Sequence, residues 1–373
     1  MKKKPLILAV CGVKNSGKTT LIQKLIPLLQ TQGLKVSAIK HDGHDFEPDV
    51  PGTDSHAFWK AGALGTAIFS DSKYMVIRKE KMSYQQMGEL FPEADLILAE
   101  GLKNTSCPKL EIVRQGISTK PVSCREGLFG ILTDLPSGLF DTGKDPLSVP
   151  VLPLQDPEEI ARRILDFYFA VNSLSMVVLA GGLSNRMGEE KADLKYNETS
   201  FLDYQLTKGH ILGIRELLVS GYRGLRVKRF QEEILVPDHI PASGPLGGLE
   251  ACFQAASAPY ALVLPVDMPA VTVSVLTSLI SGFRRYIEGE ASAGKRPDIM
   301  LLSHKGRKEP LAAVYPTELA ALAGERIMSG DCSVMGFVRA AGYRTLDVSD
   351  LNGEFVNINE PEQYQKLKIF HVD

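Results

Sequence analysis

The sequence predicts an α/β fold that is divided into two domains. Apolar runs of strand length alternate with helical patterns along all 373 residues. A strand, a glycine-rich loop and a helix follow one another twice, first near residue 6 and again near residue 176. A chain of this length also suits two domains of about 100–200 residues each. We therefore expect one domain over residues 1–172 and a second over residues 173–373.

The composition excludes several classes of protein. A formal net charge of -2, with no local basic run, gives no reason to expect a nucleic-acid partner. No stretch of about 18 apolar residues occurs, so we expect no membrane span. The five cysteines form no CxxC pair, which favours a reducing compartment over a disulfide framework or a zinc site. We expect a cytoplasmic protein.

The first half reads as a mostly parallel sheet covered by helices. Its apolar runs do not alternate strictly with polar residues, which is typical of strands that are buried on both faces. Strands are predicted over Leu6–Val10, Leu34–Ile39, Ala67–Phe69, Met75–Arg78, Leu96–Ala99, Glu111–Val113 and Gly130–Thr133. Helices are predicted over Thr19–Gln32 and Pro157–Phe169. The first domain should therefore be α/β, and it should end where the second of these helices gives way to a new strand, Met176–Leu179.

The first glycine-rich loop matches the P-loop pattern at every fixed position. Its glycines let backbone N–H groups turn toward phosphate oxygens, at the N-terminus of a helix. Lys18 should reach the β- and γ-phosphates, and the Thr19 hydroxyl should bind Mg²⁺. The first domain is therefore predicted to be P-loop NTPase-like. The nucleotide-binding residues predicted from this loop are Gly12, Lys14, Asn15, Ser16, Gly17, Lys18, Thr19 and Thr20.

A second element of this domain ends in an acidic residue. The apolar strand from Leu96 closes with Glu100 and Gly101. Such a strand supplies a carboxylate near the metal in P-loop enzymes, so Glu100 is a candidate metal ligand. The alternative is that Glu100 only ends a strand in solvent. Before any family is considered, the sequence does not decide between the two.

Together these segments resemble the molybdopterin-guanine dinucleotide biosynthesis adapter family over about residues 5–170. The matching segments are the P-loop, Lys40–His44, Gly52–Ser55 with Ala61–Ala63, and Glu100–Lys103 ahead of Pro108–Glu111. The resemblance implies a GTP-binding domain with weak hydrolysis that assists a guanylyltransferase. Thr133 and Asp134 are a candidate site for guanine, because a carboxylate can accept hydrogen bonds from the guanine N1 and N2 donors.

The second glycine-rich loop, residues 179–191, is neither a P-loop nor a dinucleotide-binding loop. It nevertheless offers what nucleotidyl transfer requires. Leu179, Ala180, Gly181 and Gly182 would bring backbone donors close to a nucleotide. Arg186 can hold two phosphate oxygens of departing pyrophosphate. Lys191 can offset charge that gathers on the α-phosphate in the transition state. A solvated, charged loop is the alternative.

Two further features favour the catalytic interpretation. Asp267 lies at the end of an apolar strand and is bracketed by Pro265 and Pro269. A carboxylate at the carboxyl end of a strand, in a crevice that holds a triphosphate, is the expected Mg²⁺ ligand. The segment Ser243–Gly248 opens a helix, and Gly244 offers further backbone donors. A turn-capping acid is the alternative for Asp267.

This constellation resembles the molybdenum cofactor guanylyltransferase family over nearly all of residues 175–370. The matching parts are the loop with Lys191, Asp238 before the Gly244–Gly248 turn, Asp267, Glu309–Tyr315 and Phe355–Pro361. Paired glycines at 181 and 182 are typical of the guanylyl branch, whereas cytidylyl enzymes usually have alanine first. Glu190 stands where the family often has aspartate, and Glu360 where it usually has threonine.

The resemblance implies a Rossmann-like nucleotidyltransferase domain and a bifunctional protein. It would transfer GMP from GTP to molybdopterin or molybdenum-molybdopterin, with Mg²⁺ as cofactor. Asp238 would help to hold the second substrate or the metal, and Asn357 and Asn359 would bind the pterin. Molybdoenzyme maturation proteins are candidate partners, and the oligomeric state stays open, a homodimer included. Two alternatives remain: a cytidylyl or sugar-phosphate nucleotidyltransferase fused to a P-loop kinase, and a non-catalytic, NTP-gated cofactor carrier.

Overall fold

The structure is a computed structural model. It describes residues 4–42, 46, 49–136, 139, 145–181, 190–196, 199–224, 228–240, 242–290, 296–351 and 358. It confirms the predicted fold class, because two separate α/β sheets are present, one in each half of the chain.

The strands of the N-terminal half are β1 (Leu6–Gly12), β2 (Val36–Lys40), β3 (Gly65–Phe69), β4 (Tyr74–Arg78), β5 (Leu96–Glu100), β6 (Lys109–Val113), β7 (Leu128–Thr133) and β8 (Val151–Pro153). Six of them form a parallel sheet in the order β2-β5-β1-β6-β7-β8. Its helices are α1 (Lys18–Thr31), α2 (Asp54–Lys60), α3 (Tyr84–Leu90) and α4 (Pro157–Ser173). The core strands are buried on both faces, as their continuous apolar runs predict.

Strands β3 and β4 depart from the expected sheet. They lie where Ala67–Phe69 and Met75–Arg78 were predicted as strands, but they pair with each other as a separate antiparallel ribbon. Most of their side chains are exposed. Short apolar runs do not reveal whether a strand is covered, so the sequence could not separate this ribbon from the buried sheet.

The strands described in the C-terminal half are β9 (Leu174–Leu179), β10 (Lys195–Tyr196), β11 (Thr199–Ser200), β12 (Leu217–Ser220), β13 (Glu233–Val236), β14 (Tyr260–Pro265), β15 (Ile299–His304), β16 (Arg307–Pro316) and β17 (Tyr343–Asp347). Seven of them form a sheet in the order β13-β12-β9-β14-β16-β15-β17. Its helices are α5 (Phe201–Ile211), α6 (Gly244–Ala255), α7 (Val273–Glu290), α8 (Ala320–Met328) and α9 (Val334–Ala341). β9, β12, β13 and β14 are parallel, while β16 runs antiparallel to both of its neighbours.

Helix α4 joins the two halves without a linker. It ends at Ser173, and β9 begins at the next residue. Its side chains Ile164 and Phe167 pack into the core beneath the N-terminal sheet, whereas Ala170 packs into the core of the C-terminal sheet. Each half therefore buries part of the same helix. None of the helices in the described part of the chain combines the length and apolar character that crossing a bilayer requires.

Candidate active site

The first glycine-rich loop connects β1 to α1 and has the backbone geometry that its glycines predict. Gly12 and Gly17 have φ of 141° and 97°, and Asn15 has φ of 64°. A Cβ at position 12 would lie 2.7 Å from Ser16 Oγ and 2.8 Å from Ile112 O, so only glycine fits there. The loop is therefore closely packed against β6, and its backbone turns around the start of the helix.

The side chains of this loop differ in their contacts and exposure. The Lys18 ammonium donates to the carbonyl oxygens of Val13, at 2.7 Å, and Gly12, at 3.3 Å. Lys14 and Asn15 are exposed, and Ser16 is fully buried. An ammonium that lies across the loop can exchange these carbonyl contacts for phosphate oxygens.

The structure brings Thr19 and Glu100 together. The Thr19 hydroxyl donates to Glu100 Oε2 at 2.8 Å, although 81 residues separate them. The contact arises because β5 lies beside β1 in parallel, which places Glu100 level with the start of α1. A hydroxyl and a carboxylate next to a P-loop form the usual protein donor set for Mg²⁺ bound with a nucleotide, so these residues fit the metal.

A cavity of about 260 Å³ lies beside the P-loop. Thr20 lines it together with Asp134 and Arg114. Asp134 Oδ1 accepts from Gln115 N at 2.7 Å, and Arg114 Nε lies 3.6 Å from Asp134 Oδ2. The Thr133 hydroxyl accepts from Leu135 N, so it holds the turn after β7. Asp134 is thus near a nucleoside-sized space, while Arg114, which follows β6, was missed by the sequence analysis.

The C-terminal half contains a larger cleft of about 640 Å³ at the carboxyl ends of its parallel strands. Residues from β9 and from the loop after β12 line one end. Residues 307–311 of β16 line the other end, and the turn after β14 lies between them. Of the predicted site residues, those that line this cleft are Leu179, Ala180, Gly181, Lys191, Asp238, Gly244 and Asp267.

Asp267 and Lys191 meet in the middle of this cleft. The Lys191 ammonium donates to Asp267 Oδ2 at 3.0 Å, and the two side chains are 17% and 16% exposed. The ammonium thus occupies one oxygen of the carboxylate, where a bound cation would also lie. A mostly buried carboxylate that faces a cleft of about 640 Å³ suits Mg²⁺, which takes most of its other ligands from water and substrate phosphates. The residues present therefore fit the metal.

Close backbone contacts shape the end of the cleft beside β9 and β12. A Cβ on Gly221 would lie 2.6 Å from Gly181 Cα, so the segments that carry these two residues approach too closely for a side chain at position 221. The Asp238 carboxylate accepts from the Ser220 hydroxyl at 3.0 Å. Gly244 is the first residue of α6, so its N–H group belongs to a helix N-terminus that faces the cleft.

Glu309 is an acidic group of the cleft to which the sequence analysis gave no role of its own. It is 6% exposed and forms an ion pair with Arg307 at 2.8 Å. Burial raises its pKa, Arg307 opposes this, and the nearby Asp267 carboxylate raises the pKa further. The signal for it was present in the matched segment Glu309–Tyr315, where a carboxylate precedes a proline on an apolar strand.

Four predicted site residues, Gly182, Arg186, Asn357 and Asn359, lie outside the described residues. Ile358 is described, and its N–H donates to the carbonyl oxygen of Asp267 at 2.9 Å.

Comparison with known proteins identifies both halves. The family model for molybdopterin guanine dinucleotide synthesis protein B matches residues 7–134, and the model for the MobA-like NTP transferase domain matches residues 176–340. A molybdopterin-guanine dinucleotide biosynthesis adapter protein of Escherichia coli is 30% identical over 43% of this chain and 92% of its own. A probable molybdenum cofactor guanylyltransferase of Opitutus terrae is 32% identical over 54% of this chain and 97% of its own. The chain belongs to both families.

We call residues before α4 the adapter half and residues from β9 onward the transferase half. The crystal structure of molybdopterin-guanine dinucleotide biosynthesis protein A from Archaeoglobus fulgidus aligns with 52% of this chain and 97% of its own, with 22% identity and a TM-score of 0.41. The cleft of about 640 Å³ lies within the transferase half, and the P-loop lies within the adapter half.

Proposed function

We propose that the transferase half moves GMP from GTP to molybdopterin or molybdenum-molybdopterin and releases pyrophosphate. The observation that carries this proposal is the contact of Lys191 with Asp267 at the carboxyl end of β14. A cation and an acid placed together in a cleft of about 640 Å³ can serve a triphosphate and its metal. We further propose domain limits of 1–172 and 173–373.

The two ends of the cleft differ in chemistry, which suits two different substrates. The end beside β9 and α6 is lined by backbone at Gly181, Gly221 and Gly244, so it suits the nucleotide. The end on β16 carries Arg307, Lys308 and Glu309. Two cations suit the acceptor phosphate, and a buried carboxylate suits the paired N–H donors of a pterin ring. We therefore assign the β16 end to the acceptor.

The reaction is an in-line displacement at the α-phosphorus of GTP. An oxygen of the acceptor phosphate forms the new bond, the bond between the α-phosphorus and its bridging oxygen breaks, and pyrophosphate leaves with that electron pair. A phosphate monoester is already largely ionised near neutral pH, so no general base is needed. Lys191 moves from Asp267 to the α-phosphate and offsets its developing charge, and Arg186 holds the departing pyrophosphate.

Asp267 would hold Mg²⁺, which when bound neutralises the phosphate oxygens and aligns them. Asp238 contributes a second acid at the nucleotide end, and Asn357 and Asn359 offer amides to the pterin.

The adapter half is proposed to bind GTP on its P-loop and to assist the transfer. Lys18 would contact the β- and γ-phosphates, and Thr19 with Glu100 would hold a second Mg²⁺. Asp134 would face the guanine from the neighbouring cavity. Molybdoenzyme maturation proteins remain proposed partners, and a homodimer remains a proposed assembly.

Replacing Asp267 with Ala in the full chain tests the central assignment. The rate of pyrophosphate release from GTP, in the presence of Mg²⁺ and molybdopterin, should fall at least about 100-fold, because the ligand that places the metal is lost. The matched control is Glu318→Gln, an exposed acid beyond the far end of β16, which should leave turnover unchanged. Unchanged turnover in Asp267→Ala would refute the metal assignment.

Two further results would replace the proposal with one of its alternatives. Preference for CTP in a nucleotide competition assay would favour a cytidylyl enzyme. Tight binding of GTP and molybdopterin by the wild-type chain, without any turnover, would favour a non-catalytic carrier.

A further inference from the structure

The turn that carries Asp267, residues 265–269, is held from beneath by an amide on α5. Gln205 Nε2 donates to the carbonyl oxygens of Pro265, at 2.8 Å, and Met268, at 3.0 Å. Gln205 is fully buried. One amide group therefore binds the backbone on both sides of Asp267.

Lys208, one helical turn further along α5, continues this support. Its ammonium donates to the Pro269 carbonyl and to Gln205 Oε1, each at 2.8 Å. The side chain is fully buried and lies 5.4 Å from the centre of the Tyr204 ring. Burying an amine costs free energy unless it forms hydrogen bonds. One of the two hydrogen bonds of Lys208 is to the Asp267 turn itself, and the other is to Gln205, which binds that turn.

Asp145 of the adapter half contacts α5 at Tyr204, next to Gln205. The Tyr204 hydroxyl donates to Asp145 Oδ1 at 2.8 Å, and that oxygen also accepts from Leu147 N at 2.9 Å. Asp145 lies between β7 and β8 of the N-terminal sheet. The next carbonyl, of Pro146, accepts from Val273 N at 2.9 Å, where α7 begins. The adapter half thus contacts the transferase half at Tyr204, the neighbour of Gln205 on α5, and at the start of α7.

We propose that Gln205 and Lys208 are positioning residues for the Asp267 carboxylate, and that Asp145 of the adapter half completes their support through Tyr204. This inference rests on the proposed function, in which Asp267 holds the metal. Groups that orient a metal ligand commonly change metal affinity about 10–100-fold when they are replaced. The adapter half would therefore assist transfer by stabilising the metal-binding turn of its fused partner.

The first test compares Gln205→Glu and Lys208→Met with Thr207→Ala in the full chain. Thr207 is the matched control, because it lies on α5 and its hydroxyl donates within the helix, to the Asp203 carbonyl oxygen at 2.7 Å. Gln205→Glu retains an oxygen that can accept from Lys208, but it replaces the N–H donors to the turn with a carboxylate oxygen. If Lys208→Met does not fold, Gln205→Glu still tests the proposal. Both variants should raise the Mg²⁺ concentration for half-maximal activity about 10–100-fold, with the KM for GTP at saturating Mg²⁺ changed less than about twofold.

Amide hydrogen exchange provides a readout that does not depend on activity. In both variants the peptide over residues 265–269 should exchange faster, while peptides over β9 and β12 stay as in the wild type. Faster exchange throughout the sheet would show a general loss of stability and would overturn the proposal. If the wild type shows no transfer at all, the proposed function fails, yet the exchange of the turn still decides whether Gln205 and Lys208 hold it.

The second test is a double-mutant cycle across the two halves. Tyr204→Phe and Asp145→Asn each weaken the same hydrogen bond, so each should raise the Mg²⁺ requirement by about two- to fivefold. The double variant should match the single variants, because the bond can be lost only once. Additive effects, or no effect of either change, would overturn the role of Asp145.

Discussion

Replacement of Arg284 by Met should destabilise the whole chain, because it leaves a buried acid without its main partner. Arg284 lies on α7 of the transferase half, and its Nε donates to Asp166 Oδ1 of α4 at 2.8 Å. The two side chains are 6% and 5% exposed. Removing one member of such a pair typically costs about 3–5 kcal/mol, whereas exposed pairs contribute about 1 kcal/mol or less.

The assay is equilibrium unfolding in urea, with Arg285→Met as the matched control. Arg285 is the next residue of α7 and is exposed, so its replacement should cost less than about 0.5 kcal/mol. Adding Asp166→Leu to Arg284→Met should recover most of the loss, because the stranded carboxylate is then gone. A loss below about 1 kcal/mol for Arg284→Met, or a double variant no better than the single one, would refute this reasoning.

The loss of unfolding free energy in Arg284→Met should depend on pH. Burial already raises the pKa of Asp166, and hydrogen bonds from Arg284 oppose this. Without Arg284 the pKa of the folded state rises further above that of the unfolded chain. The folded chain then holds the proton more tightly, so stability falls as pH rises through that window. The loss in Arg284→Met should be larger at pH 8 than at pH 5.

Three further predictions concern the cleft and its support. Glu309→Gln should raise the KM for molybdopterin about 10–100-fold with the KM for GTP nearly unchanged, and equal changes in both would contradict the acceptor assignment. Gly221→Ala should raise the KM for GTP in the transfer reaction about 10–100-fold, since its Cβ would lie 2.6 Å from Gly181 Cα. Gly289→Ala, with no atom within 4 Å of the new Cβ, should leave that KM unchanged. Burial holds the pKa of Lys208 well below its usual value of 10.5. The unfolding free energy of the wild type, relative to that of Lys208→Met, should therefore increase as pH rises towards 10.5, by at most about 1.4 kcal/mol per pH unit. A difference that does not change with pH would contradict this prediction.

Much of the fold was predictable from the sequence because periodicity and loop chemistry are local signals. The P-loop could be recognised from its fixed spacing, and the contact of Thr19 with Glu100 follows once β5 is placed beside β1. Similarly, Lys191 and Asp267 follow strands whose carboxyl ends share one edge of a sheet. The predicted helix Pro157–Phe169 was right in kind, but it continues to Ser173 and enters β9 directly.

The features that sequence reasoning missed depend on tertiary contacts. Gln205 and Lys208 are polar residues on a helix, and such residues usually face solvent, so nothing local shows that they reach backbone carbonyls 60 and 61 residues away. Asp145 is an acid in a loop, and its partner Tyr204 belongs to the other half of the chain. Strand β8 is only three residues long and gives no periodic signal.

The central claim is that GMP passes from GTP to a pterin phosphate in the cleft of the transferase half. Mass spectrometry of the pterin after incubation with the full chain, Mg²⁺ and GTP tests it most directly. A product with the mass of molybdopterin joined to GMP through a new diphosphate bond is expected, and Asp267→Ala should form it at least about 100-fold more slowly. A pterin of unchanged mass, or one that gained a single phosphoryl group, would contradict it.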